Sequence, residues 1–204
     1  MTASNDGRLP GLPAEPPVTG AELRALHDRL AERAAASGLL DVAYRTIDTP
    51  VGALLLAATP AGLVRVAYAS EDHDAVLAAL AARISPRILN APRRLERPAR
   101  ELAEYFAGAR RRFDLPLDLR LATGFRRAVL SQLPGIGYGR TASYAAVAAA
   151  AGSPRAVRAV GTACATNPLP IIVPCHRVIR SDGSPGRYLG GPAAKQLLLN
   201  LEAA

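Results

Sequence analysis

Residues 152–178 read GSPRAVRAVGTACATNPLPIIVPCHRV, and this stretch decides how the second half of the chain is built. Ser153 is a good helix N-cap and Pro154 a good first-turn residue, so a helix is predicted over 154–165. The preceding residues, 141–151, are Ala-rich, end at Gly152 and predict another helix. Two helices joined by a tight Gly-Ser-Pro turn suggest a helix-turn-helix. Its second helix would present Arg155 and Arg158 near the N-terminal end, where such motifs meet DNA. On pattern alone an ordinary αα-hairpin is the favoured reading, and it is the distribution of charge that favours the DNA-binding motif.

The same stretch ends in a reactive-looking segment. Pro168, Pro170 and Pro174 fix the backbone, and Cys175 follows directly, ahead of His176 and Arg177. A free thiol, with a pKa of ~8.5, is mostly protonated at neutral pH, and a nearby cation or positioned base raises the thiolate fraction. His176 and Arg177 supply such groups, although adjacency in sequence does not bring side chains together. Cys164 is the contrast. It lies inside the second helix among Val160, Ala163 and Ala165 and reads as a small buried hydrophobe. The spacing of Cys164, Cys175 and His176 matches no common metal site, so no metal is expected.

Outward from this centre, residues 181–191 form a glycine-rich loop that would let a ligand approach the backbone closely. A last helix over 193–202 would turn Leu197, Leu198 and Leu201 inward. Glu202 could orient His176 as the third member of a nucleophile–base–orienter set. Upstream, 124–133 predicts a helix closed by Pro134-Gly135.

The first half has a different texture. Residues 1–18 are rich in Pro and Gly and read as a flexible lead-in. Thr19 and Glu22 fit a capping box, followed by Leu23, Leu26 and Leu30 at helical spacing. That helix, ending near Ser37-Gly38, is expected to pack on the next domain. Three β-type runs, 42–47, 53–58 and 63–68, are separated by turn signals and predict a meander. Helices are predicted over 71–84 and 99–112, the second with Leu102, Tyr105, Phe106 and Ala109 on one stripe, and 113–117 is extended around Pro116. No Cys, His and carboxylate set converges here, so this half reads as scaffold. The expected organisation is a lead-in and short helix over 1–40, an α/β scaffold over 41–119 and a mostly helical DNA-binding domain over 120–204.

Charge supports the division. The 204 residues carry 25 Lys plus Arg and 17 Asp plus Glu, for a net charge of +8. Residues 1–119 hold 15 cations and 15 anions, whereas 120–204 hold 10 cations and only Asp182 and Glu202 as anions. The whole excess lies in the segment with the helix-turn-helix, which points to a nucleic-acid partner. Two cysteines exclude a disulfide framework and a four-thiolate zinc site. Nine aromatic residues and no Trp argue against an aromatic platform for single strands. The polar start, Met1 to Pro10, resembles no signal peptide, and no apolar run reaches the ~18 residues of a membrane span. A soluble, cytoplasmic, monomeric protein with no membrane partner is expected.

Pro174-Cys175-His176-Arg177-Val178 resembles the active-site motif of the O6-alkylguanine-DNA alkyltransferases (methylated-DNA–protein-cysteine methyltransferases). The resemblance runs in order from Phe125 to Glu202, through Ser143-Tyr144, Gly152-Ser153-Pro154, Arg158-Ala159-Val160-Gly161, Asn167-Pro168, Tyr188, Gly190-Gly191, Lys195 and Leu198-Leu199. Residues 42–119 are similar to the family's ribonuclease-H-like N-terminal α/β domain. The resemblance implies direct repair of double-stranded DNA containing O6-alkylguanine, and possible action on O4-alkylthymine. The helix-turn-helix would dock in the minor groove and the damaged base would be flipped out, without a cofactor.

By position, Cys175 would accept the alkyl group, His176 would deprotonate it through a water, and Glu202 would orient His176. Asn167 would brace the turn, and Tyr144 would bond the flipped base and assist its protonation. Arg158 would fill the gap in the duplex, with Ser153, Arg155, Tyr144 and Arg177 also on the DNA side. Tyr188, Leu189, Gly190 and Val178 would line the guanine pocket, the carbonyls of Cys175 and Val178 reading the exocyclic amine. Leu130, Pro185, Arg187 and Pro192 depart from the family's usual residues. Two other readings remain: a non-enzymatic sensor of alkylated DNA, and a cysteine hydrolase using Cys175, His176 and Glu202.

Overall fold

The computed structural model describes residues 19–203; the lead-in over 1–18 lies outside them. Thr19 caps helix α1 (Gly20–Ala36) through the expected box, its hydroxyl accepting from the Glu22 amide while the Glu22 carboxylate accepts from the Thr19 amide. The face that packs is not the expected one. Leu23, Leu26 and Leu30 are 63%, 50% and 55% exposed, while Ala31 is buried and Ala34 and Ala35 pack against the core. The alanine face allows a close approach and carries the polar partners as well. His27 Nε2 donates to the Asn90 carbonyl at 2.5 Å, and Asp28 and Glu32 pair with Arg93.

Strands β1 (Val42–Ile47), β2 (Leu54–Thr59) and β3 (Gly62–Tyr68) form the meander. A short fourth strand, β4 (Ile88–Asn90), pairs parallel with β1 and completes the order β3-β2-β1-β4. At three residues, β4 is too short for an alternation to announce it. Period-two alternation sends Leu54 and Leu56 to one face, and Leu55 and Ala57 to the other. The second face is covered by α2 (His73–Arg83), which brings Val76 and Leu80 to it. The first face meets α3 (Glu96–Phe106) and the C-terminal half in one continuous apolar core. Helix α3 stops before the predicted end, because the chain reverses at Gly108 with φ +74° and leaves Ala109 exposed.

In the second half, α4 (Gly124–Gln132) closes at Leu133-Pro134-Gly135 as expected. The Ala-rich segment splits into β5 (Ala142–Ser143) and α5 (Tyr144–Ala150), with Ser143 as N-cap. Helix α6 (Val157–Ala165) begins three residues later than predicted. Ser153 does not cap it; its carbonyl instead accepts from the Ala156 amide at 2.9 Å, so Pro154 and Arg155 belong to a turn. Strand β6 (Val178–Ile179) pairs parallel with β5, and α7 (Gly191–Ala203) closes the chain. Leu130 is fully buried in the core, so its departure from the family pattern is a matter of packing. Among the described residues no helix is long and apolar enough to cross a membrane.

Candidate active site and nucleic-acid interface

The proline-fixed segment delivers Cys175 to the core rather than to the surface. Val173 N–H donates to the Leu169 carbonyl and Cys175 N–H to the Val173 carbonyl, both at 2.8 Å, and residues 175–177 make one turn of 3₁₀ helix. Ile171 is held at φ +73°, a strained conformation for a β-branched residue, inside this turn. Cys175 is 1% exposed.

Asn167 is fully buried, and its amide ties the turn together. Its Nδ2 donates to the Val173 carbonyl at 2.8 Å and to Cys175 Sγ at 3.1 Å, while Oδ1 accepts from the Leu169 amide at 3.0 Å. A donor aimed at sulfur favours the thiolate over the thiol. Burial works the other way and pushes the Cys175 thiol up to about 11, against the Asn167 bond and the nearby Lys195 ammonium.

His176 and Glu202 come together as expected. His176 Nε2 bonds Glu202 Oε1 at 2.8 Å, with both side chains buried. Burial would raise the Glu202 carboxyl, yet hydrogen bonds from His176, Arg177 and Tyr105 hold it down to about 2. An ionised carboxylate only accepts, so Nε2 carries the imidazole proton. Nδ1 is then the basic nitrogen, and it is buried without a protein partner. Burial also lowers the His176 pKa, more strongly than the Glu202 bond raises it, so the ring is neutral at pH 7 and able to accept a proton.

Arg177 corrects the sequence reading. It was expected on the DNA side, but it is 6% exposed and clamps Glu202. Its Nε donates to Oε2 at 2.8 Å and its Nη2 to Oε1 at 2.9 Å, while Nη1 holds the Ile136 carbonyl at 2.5 Å. Such a bidentate pair satisfies a buried carboxylate that His176 alone would leave half-bonded. The Gly139 amide adds a bond to Oε2 at 3.3 Å. Only glycine fits there: φ is +69°, and a Cβ would fall 2.6 Å from the Glu202 carbonyl oxygen.

Three residues of the site were not assigned a role from sequence. Tyr105 of α3 donates its hydroxyl to Glu202 Oε1 at 2.7 Å. Tyr68 of β3 shares a hydroxyl–hydroxyl bond of 2.9 Å with Tyr188. Both come from the half read as scaffold, and their polar tips sit at the end of apolar periodic patterns, where sequence gives no sign of them. Lys195 is fully buried and donates to the carbonyls of Val178, at 2.7 Å, and Pro185. It is the only lysine of the chain. Its bonds join the strand after Cys175 to the glycine-rich loop, and Pro185 is accommodated there through its carbonyl.

The remaining residues fall around this centre. Tyr144 opens α5, half-buried, and its hydroxyl faces Gly186, where a Cβ would come within 2.9 Å. Tyr188, Leu189 and Gly190 are partly buried on the opposite loop. The Val178 carbonyl accepts from Lys195 and the Cys175 carbonyl from the Val178 amide, which leaves each a second lone pair. Cys164 is buried in the core, and burial pushes its thiol up to about 12. Arg158 in the first turn of α6 and Arg155 in the turn before it are both exposed, and Ser153 is half-exposed beside them.

A helix-turn-helix with outward arginines, in one domain with a buried thiol followed by a carboxylate-bonded imidazole, defines a DNA-binding protein equipped for nucleophilic chemistry. Residues 42–119 match the ribonuclease-like domain, and residues 124–204 the DNA-binding domain, of 6-O-methylguanine DNA methyltransferase. The chain belongs to this family of DNA-repair methyltransferases. It is 38% identical over 161 residues to the methylated-DNA–protein-cysteine methyltransferase of Mycolicibacterium paratuberculosis, covering 79% of this chain and 92% of that one. The constitutive enzyme of Bacillus subtilis is 39% identical over 163 residues, covering 78% and 94%. Among solved structures, O6-methylguanine methyltransferase of Mycobacterium tuberculosis superposes with a TM-score of 0.70 at 39% identity, covering 79% of this chain and 93% of that one. The same values of identity and TM-score hold for the crystal structure of the Mycobacterium tuberculosis protein in complex with DNA, covering 79% and 92%.

Proposed function

We propose that this protein repairs O6-alkylguanine in double-stranded DNA by moving the alkyl group irreversibly to Cys175. The carrying observation is the buried thiol held by Asn167 and followed by a His176–Glu202 pair whose free nitrogen is basic. The Cys175 proton passes to His176 Nδ1 through a water. The sulfur attacks the alkyl carbon, the S–C bond forms as the C–O6 bond breaks, and the electron pair leaves with the base. A proton delivered with the help of Tyr144 makes the leaving group neutral guanine. A thioether is not reversed by these groups, so one molecule serves one lesion.

A thiol this buried cannot reach a stacked base, so the guanine is flipped out of the duplex from the minor groove. It enters between Tyr144 and the Tyr188-Leu189-Gly190 segment, where the carbonyls of Cys175 and Val178 receive its exocyclic amine. Arg155, Ser153 and Arg158 face the DNA, and Arg158 occupies the gap left in the duplex. The working units are the helix-bearing lead-in 1–40, the scaffold 41–119 and the catalytic domain 120–204, and the protein acts as a cytoplasmic monomer.

Intact-protein mass after incubation with O6-methylguanine duplex checks the chemistry. One methyl should appear per protein, on the peptide carrying Cys175. Turnover beyond one, or lesion loss with Cys175 unmodified, would sink the proposal. Lesion binding with the methyl left in place would favour the sensor reading instead.

A second expectation concerns the gap. Arg158→Ala should slow repair of a duplex lesion about fivefold or more, the effect of a lost contact of 1–3 kcal/mol. It should leave reaction with free O6-benzylguanine nearly unchanged, because no duplex needs holding open. Equal slowing of both reactions would remove Arg158 from that role.

A further inference from the structure

We propose that Tyr68, on the half of the chain that carries no nucleophile, is a positioning residue for the pocket that receives the guanine; this rests on the function proposed above. Three contacts meet in it. Its hydroxyl bonds the Tyr188 hydroxyl at 2.9 Å, and the two rings stand edge to face with centroids 5.9 Å apart. Gly190 lies directly on the Tyr68 ring, so closely that a Cβ there would fall 2.5, 2.6 and 2.8 Å from ring carbons. Tyr188 in turn stands edge to face with the His176 ring, centroids 6.3 Å apart. Tyr68 therefore supports both the side wall and the backbone of the segment that would hold the base.

Tyr68 is itself fixed relative to the thiol. Its amide donates to Glu71 Oε1 at 2.9 Å, and Glu71 pairs with Arg65. Arg65 Nη1 donates to the carbonyls of Asn167 at 3.5 Å and Pro168 at 3.3 Å, and the Val66 amide bonds the Pro168 carbonyl at 2.8 Å. Strand β3 thus grips the turn whose Asn167 holds Cys175 Sγ, and at its end presents Tyr68 to the opposite side of the pocket. The distance between nucleophile and pocket wall is set by one strand of the N-terminal half. Burial raises the pKa of both phenols, so the pair stays a neutral hydroxyl–hydroxyl bond. One of its two protons is used in that bond, and the other is left to donate elsewhere.

The test is a double-mutant cycle on methyl transfer from O6-methylguanine duplex, with free O6-benzylguanine as a second substrate. Tyr68→Phe and Tyr188→Phe should each slow methyl transfer about fivefold, the worth of one hydrogen bond. The double variant should be no slower than the slower single one. Tyr68→Phe should also change the benzyl-to-methyl rate ratio, which a purely structural role would leave alone while lowering the melting temperature. Gly190→Ala reads the same contact from the pocket side, and should slow transfer at least as much, should Tyr68→Phe fail to fold. Multiplying effects in the double variant, or an unchanged rate and ratio in Tyr68→Phe, overturn the inference while wild type still reacts. A wild type that takes up no methyl group overturns the functional reading and this inference with it.

Discussion

Cys175→Ser should lose methyl transfer entirely, by as much as the ~10⁶-fold that removal of a nucleophile costs in comparable sites, while binding duplex DNA as before. The two side chains are nearly isosteric and the site is 1% exposed, so the fold should tolerate the exchange. The hydroxyl, however, is a much weaker acid than a thiol, and oxygen is a far poorer nucleophile than sulfur toward an alkyl carbon, so a base that serves Cys175 does not rescue serine. Wild-type pH dependence completes the prediction. With the Cys175 thiol at about 11 and the His176 pKa lowered by burial, the resting pair is neutral thiol and neutral imidazole between those limits. The reactive form moves one proton within the pair, so its population does not depend on pH in that window. Single-turnover rates should be level from about pH 6.5 to 8.5 and fall on the acid side, where His176 is already protonated. A rate rising tenfold per pH unit across the window would mean that bulk ionisation of the thiol, without His176, supplies the nucleophile.

Glu202→Gln should be the most damaging change that leaves the nucleophile in place. Glu202 accepts from Tyr105, His176, Arg177 and Gly139 together, and an amide can reproduce only part of that set. The buried Arg177 guanidinium would lose its counter-charge, at a cost of about 3–5 kcal/mol. Activity should fall by at least ~10²-fold at a temperature where circular dichroism still shows a native fold, because the orientation and charge behind His176 are gone. The pH dependence of stability follows from the same residue. Its carboxyl is held at about 2 in the folded chain, against an ordinary value of 4.5. Its stabilisation, of about 3 kcal/mol, is therefore fully present above pH 4.5 and is lost as pH falls toward 2. Wild type and Glu202→Gln should converge in melting temperature as the solution is acidified through that range. Parallel curves down to pH 2 would show that ionisation of Glu202 contributes nothing to folding.

Much of this centre was legible in the sequence because its chemistry is local and unusual. Cys175 beside His176 after a proline, one lysine, and a lone Glu in a basic domain each stand out from their surroundings. The three-strand meander was readable from alternation and turn residues, and α1 from its capping box. What escaped reading was decided by distance. The alanine face of α1 won over the leucines because partners on the sheet side, Asn90 and Arg93, are more than sixty residues away. The start of α6 moved because Ser153 spends its carbonyl on a turn, a choice that the neighbouring Pro154 permits as readily as a cap. Arg177 was expected on the DNA side because sequence gives its charge but not its direction. Tyr105 and Tyr68 are long-range contacts of 97 and 120 residues, and no local pattern encodes them.

The apolar core that runs unbroken from the sheet into the helices has a thermodynamic consequence. Two modules sharing one core, with Val66 bonded to Pro168 and Tyr105 to Glu202, cannot open independently, because opening either strips partners from the other. Binding energy gained at the helix-turn-helix should then be registered as protection of amides in β2 and β3, strands of the other half of the chain. The N-terminal half acts as the ballast of the reactive turn, and a mutation deep in its sheet would be felt first as a thiol out of place.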